Sequence, residues 1–236
     1  MSRHRLSSVA LAVAGVLFLL YPVVRPWNDE STAAGAIAAM SSGRWVASHL
    51  FAMIGFILVP LGLLAVRSVV ARTPAESLAV SGVLTTWVGV GLTLPYYGAE
   101  DFGLKAIASA AAAGEAADLL SLVDDVRFNP VAATMFALGL LSIGVGAVLT
   151  AVAVARSGVL PRSSGLLFAV GFALFIPQFW APGPVRIAHG LVVAVGAIQL
   201  SVALWQAPAG EDAQVAQTRS TVTFGGNSRS ANRPMA

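Results

Sequence analysis

Six apolar runs, at residues 6–24, 45–66, 78–96, 131–155, 165–181 and 185–205, leave this chain few folds to choose from. A bilayer core about 30 Å thick takes roughly 20 helical residues. Each run is near that length, and a span in lipid must satisfy its own backbone hydrogen bonds, which a single helix does. The expected fold is therefore all-α: a polytopic bundle of six transmembrane helices in three hairpins, with both termini on one side. Composition agrees, because only 11% of the residues are charged and 57% are hydrophobic, against about 25% and 45–50% in soluble domains.

The basic residues orient the bundle. With the N-terminus in the cytoplasm, nine of the fourteen Lys and Arg fall inside and five outside, as the positive-inside rule requires. Eight of the eleven acids fall outside. The location expected is the cell (plasma) membrane of a bacterium, suggested by the Ala, Val, Gly and Arg bias. The first run has the basic head of a signal sequence but lacks a small-x-small cleavage site, so it is read as retained. The pI near 10 reflects scattered arginines and a net charge of only +3, which argues against nucleic acid. Absence of cysteine removes disulfides and thiolate chemistry.

Two outer connections are long. The second holds apolar residues at near-helical spacing over 102–126, read as an amphipathic helix over the bundle mouth or in the interface. The tail 207–236 lacks an apolar face and reads as disordered. Ser81, Thr85, Gly89 and Thr93, and Ser142, Gly146 and Thr150, recur every four residues and suit close helix packing. The paired serines, glycine and proline of the first and fifth runs, each followed by a helix opening on Arg and then His (Arg44 and His49; Arg186 and His189), suggest a parallel repeat of the first and third hairpins.

The candidate chemistry lies at the outer boundary. Glu100 and Asp101 end the third run, beside Tyr96 and Tyr97 and after a helix-stopping Pro95, while Thr86, Thr93, Tyr97 and Glu100 share one helix face. A carboxyl in apolar surroundings resists ionisation, so one of the two acids is a candidate general acid. Tyr97, His49 and His189 complete the catalytic candidates. Arg44, Arg127 and Arg186, at outer helix starts, suit an anionic headgroup, and Tyr96, Trp45, Phe179 and Trp180 suit the walls of an aromatic cavity.

The function read from this is an outward-facing cavity that binds or transforms a membrane-soluble small molecule. Acid-initiated isomerisation or cyclisation of an isoprenoid is the concrete version, similar in kind, though in no shared motif, to the small membrane-embedded terpene cyclases. A non-catalytic alternative is a transport accessory, sensor or assembly factor with a membrane-protein partner. A weaker one is a bis-His haem or metal protein on His49 and His189, although no motif calls for a cofactor or a metal.

Overall fold

The computed structural model describes residues 3–115 and 118–207, and among these every regular element is helical. In chain order they are α1 (Arg3–Val24), α2 (Ala33–Met40), α3 (Gly43–Val69), α4 (Glu76–Gly98), α5 (Leu104–Ala112), α6 (Leu119–Arg127), α7 (Pro130–Ser157), α8 (Leu166–Ala173) and α9 (Gly183–Gln206). A π-helical turn, Ala99–Gly103, joins α4 to α5, and a 3-10 turn, Pro177–Trp180, precedes α9. Five helices are long and apolar enough to cross a membrane: α1, α3, α7, α9 and the continuous helix Glu76–Ala112 that contains α4 and α5.

The expected span 165–181 is not one straight helix. α8 stops after eight residues, because Pro177 offers no N–H to the carbonyl of Ala173 and its ring crowds that carbonyl. The chain continues through short turns, with Leu174 donating to Val170, Gln178 to Leu174 and Phe179 to Ile176. Pro95, by contrast, does not end its helix. α4 runs through it to Gly98, and the backbone relaxes only at the π turn, where the Leu104 N–H reaches back to the Ala99 carbonyl.

The long helices form a ring in which each touches the next: α1 on α3, α3 on α4, α4 on α7, α7 on α8, α8 on α9, and α9 on α1. The closest pairing is α4 with α7, which run antiparallel. Its seam is Gly82, Thr86, Gly89 and Thr93 against Gly139, Ile143, Gly146 and Thr150. A Cβ on Gly89 would lie 2.6 Å from the Gly139 carbonyl oxygen, and one on Gly82 2.7 Å from the Thr150 hydroxyl. The steps are four, three and four, the repeat of a supercoiled helix pair, where the sequence reading expected steps of four. Ser81 accordingly faces outward, and Thr86 and Thr93 serve packing instead of extending a polar path.

Inside the ring lies an aromatic core. Phe18 meets Phe56 and Phe172 edge-on at centroid separations of 4.9 and 5.4 Å, and Phe56 meets Tyr97 at 5.4 Å and Phe175 at 5.3 Å. Such pairs add about 0.5–1.5 kcal/mol each beyond the area they bury. Large apolar side chains on the opposite helix faces, among them Leu84, Trp87, Val88, Leu138, Leu141 and Val145, point outward, as they must if lipid surrounds the bundle.

Above this end of the ring sits a cap. The amphipathic segment 102–126 is two short helices, α5 and α6, with a break that includes Gly114 at φ +78°. Their apolar faces, Leu104, Ala108, Leu119 and Val123, pack on Ala36, Ala39 and Met40 of α2 and on Trp45 of α3. Those faces are buried against protein. Of the expected disordered tail 207–236, residues 208 onward lie outside the described residues.

Candidate functional site

Where the ring meets the cap, a cavity of about 650 Å³ opens. Its floor is charged. Arg25 follows α1, where Pro26 turns the chain out of the helix, and its Nη2 donates to Glu30 Oε1 at 2.7 Å. The other Glu30 oxygen accepts from Arg127 Nη2 at 2.8 Å. Arg127, at the end of α6, also donates through Nε to Glu100 Oε1 at 2.8 Å and through Nη2 to Oε2 at 3.2 Å. Burial works against the charge on Arg127, but Glu100 and Glu30 outweigh it and hold its pKa above the ordinary arginine value. Four charges, two from the connection after α1 and two from the one between α4 and α7, thus form one chain of ion pairs.

His49 supports this chain from beneath. It is 2% exposed; its Nε2 lies 3.2 Å from Arg25 Nη1 and its Nδ1 2.8 Å from the Trp45 carbonyl. Since arginine only donates and a carbonyl only accepts, the imidazole accepts at Nε2 and donates at Nδ1. Trp45 lies under the Arg25 guanidinium, 4.6 Å from it, and its indole N–H donates to the Glu100 carbonyl at 2.9 Å. The walls are aromatic: Tyr96 and Tyr97 of α4, Phe136 of α7, and Phe179 and Trp180 of the 3-10 turn. Tyr96 stacks on Phe136 at 4.2 Å and donates its hydroxyl to the Arg127 carbonyl at 3.1 Å.

The sequence candidates separate into two groups. Tyr97, Glu100, His49, Arg127, Arg186, Tyr96, Phe179 and Trp180 all line this cavity. Asp101, Arg44, His189 and Trp45 do not. Asp101 is fully buried, with both carboxylate oxygens lacking a hydrogen-bond donor. The neighbouring Lys105 spends its ammonium on the Ser41 carbonyl at 2.8 Å, and Glu100 spends both oxygens on Arg127, so no hydrogen bond joins the two acids. Arg44 is exposed and donates to the Val24 carbonyl at 3.1 Å. His189 Nε2 is 2.8 Å from the Gly171 carbonyl, in a small separate pocket beside Phe175 and Gln178. The two histidines of the suggested repeat therefore hold different parts, one an arginine and the other a helix carbonyl.

Two cavity residues, Arg25 and Glu30, were legible in sequence only as outer-loop charges. The available signal was the turn itself: Arg25-Pro26-Trp27 returns the chain over the end of its own span, and Trp27 fastens it by donating to the Pro22 carbonyl at 3.0 Å. Among the described residues no group of three or more His, Asp and Glu is placed to hold a metal ion.

Fold and site together define a helical, apolar, membrane-type protein with a buried aromatic cluster beneath a charged cavity. No family model matches the chain, and no curated protein or solved structure is significantly similar to it.

Proposed function

We propose that this chain is a six-span protein of the cell membrane, both ends cytoplasmic, whose outward-facing cavity binds a membrane-soluble small molecule. The broken segment from α8 to Trp180 is the fifth of the six spans in this reading, and the excess of basic residues at the opposite end supports the orientation.

The cavity itself carries the functional reading. At about 650 Å³ it falls within the roughly 300–1,000 Å³ usual for small-molecule sites, which are mostly apolar with a few placed polar groups. Binding is better supported than acid-initiated isomerisation of an isoprenoid. The aromatic faces of Tyr97, Phe136 and Phe179 suit a developing cation. Yet both Glu100 oxygens are engaged by Arg127, Glu30 is engaged by Arg25 and Arg127, Asp101 lies outside the cavity, and Asp29 stands on its exposed rim with its carboxyl held below the usual value by Ser31, so none of these acids is poised to give a proton to a substrate.

Native mass spectrometry and lipid analysis of the full chain, purified in mild detergent, test this. A small molecule should co-purify with the wild type and be lost from Ala137→Trp, which fills the cavity from α7. Identical small-molecule content in a folded Ala137→Trp protein would refute the reading.

A further inference from the structure

We propose that the cavity's ligand is an amphiphile bearing one anionic group, a carboxylate or phosphate monoester, seated at Arg186, with its apolar chain leaving between α7 and the Pro177–Trp180 turn. This rests on the cavity reading above.

The charge arrangement points to Arg186. Arg25 and Arg127 are matched by Glu30 and Glu100, which use their oxygens on those two arginines. The third acid of the cavity, Asp29, sits on its exposed rim, where the hydroxyl and backbone N–H of Ser31 bond to it and hold its carboxyl below the usual value. Arg186 has no carboxylate within ion-pair distance among the described residues. Its Nε donates to Gln178 Oε1 at 2.9 Å and its Nη2 to the Tyr21 hydroxyl at 3.3 Å, both neutral acceptors. Three of the five N–H groups on its planar fork remain for a ligand.

The guanidinium is also held in place, 5.1 Å from the Trp27 ring and 5.4 Å from that of Phe179. A fixed, uncompensated cation in an apolar wall attracts one negative charge strongly, because the surroundings screen it poorly. A diphosphate would need a second free cation. The Tyr97 hydroxyl points the same way: the residue is 3% exposed and lines the same cavity, and its oxygen, beside the Tyr21 hydroxyl that accepts from Arg186, makes no hydrogen bond of good geometry. Buried hydroxyls are nearly always paired, and a ligand oxygen would pair this one.

The chain's exit follows from the broken fifth span. On the inner side α7 packs on α8, the Cβ position of Gly144 lying 3.4 Å from the Phe172 carbonyl oxygen. On the outer side, past the stop imposed by Pro177, α7 presents Ala133 and Ala137 to the cavity, and the turn presents Ile176 and Phe179 from across it. Trp180 at 81% and Phe128 at 71% are the most exposed of the large apolar side chains described, and both line this cavity. An apolar rim at the edge of a bundle is what an acyl or prenyl chain needs to remain in lipid while its head is held.

The test uses the full chain in nanodiscs of uncharged phosphatidylcholine. Four probes share one fluorescent polyene chain and carry a carboxylate, a methyl ester, a monophosphate or an amine. The acid and the monophosphate are expected to bind at least tenfold more tightly than the ester and the amine. That ratio should fall toward one in R186Q and recover in part in R186K; if R186Q does not accumulate, the wild-type ratio and R186K decide. Acid and ester binding alike in the wild type would overturn the headgroup assignment and leave the cavity reading standing, whereas no saturable binding of any probe would remove both. Displacement of the acid by equal concentrations of acetate or inorganic phosphate would overturn the amphiphile. A diazirine at the chain's far end should label 131–141 or 174–181, and labelling confined to other segments would overturn the route.

Discussion

Glu30 meets Arg127 at 2.8 Å across ninety-seven positions of chain, and with its other oxygen it meets Arg25 at 2.7 Å. One carboxylate thus ties the turn after α1 to the end of α6, and through Arg127 to Glu100 at the π turn. Its removal leaves two guanidinium groups sharing one acid. Since the pairs are partly exposed, the full penalty of about 3–5 kcal/mol for breaking a buried pair does not apply. Glu30→Gln is expected to cost about 1–3 kcal/mol, read as a lower Tm in detergent, and a cycle with Arg127→Gln should give a coupling of at least about 0.5 kcal/mol. Strict additivity in that cycle would dissolve the network.

The seam between α4 and α7 sets a second expectation. Gly89→Val and Gly146→Val place branched side chains where a Cβ alone already collides with backbone or threonine. Overpacking of this kind costs about 1–3 kcal/mol or more. Ser81→Val, one residue before Gly82 yet exposed, is the control and should leave Tm within a degree or two of wild type. Equal loss in all three would contradict the steps of four and three along this seam.

Glu100 and Asp101 are adjacent in sequence and should behave oppositely. Glu100→Gln weakens its grip on Arg127 and should lower Tm. Asp101→Leu replaces a carboxylate that is buried without a donor by an apolar group of similar bulk, and should raise stability by about 1–3 kcal/mol. A clear drop in stability for Asp101→Leu would show that the carboxylate has a partner in the membrane-embedded protein.

Tryptophan fluorescence examines the lipid boundary. In single-tryptophan proteins, Trp87, 56% exposed on the outer face of α4, should be quenched by lipids brominated near mid-chain. Trp45, fully buried, should be insensitive to them. Quenching of Trp87 by aqueous iodide instead would place that face in water.

The helices were largely legible because each must satisfy its backbone alone in lipid, which makes run length a strong signal. The exception is instructive. Hydropathy alone does not show that Pro177 ends α8 after Ala173, and the same residue type at Pro95 leaves its helix intact. At the site, Tyr97, Glu100 and Arg127 could be anticipated because they stand at ends of apolar runs. Arg25 and Glu30 could not be ranked above other loop charges, because nothing local reveals that Pro26 and Trp27 fold that loop back over the bundle. Glu100 and Asp101 could not be told apart for a related reason: consecutive residues of a helical turn point to different sides, and here Glu100 reaches the cavity while Asp101 is buried away from it.

The glycine seam also decides which wall can give way. Backbones already in contact along α4 and α7 have no slack to slide or tilt without collision, so these two helices act as a single fixed post. The segment from Leu174 to Trp180, held by isolated turns instead of a continuous ladder, is the compliant side. For the ligand proposed above, entry would then be a motion of that short stretch toward and away from a stationary neighbour, and stiffening it, not loosening the post, is how exchange would be slowed.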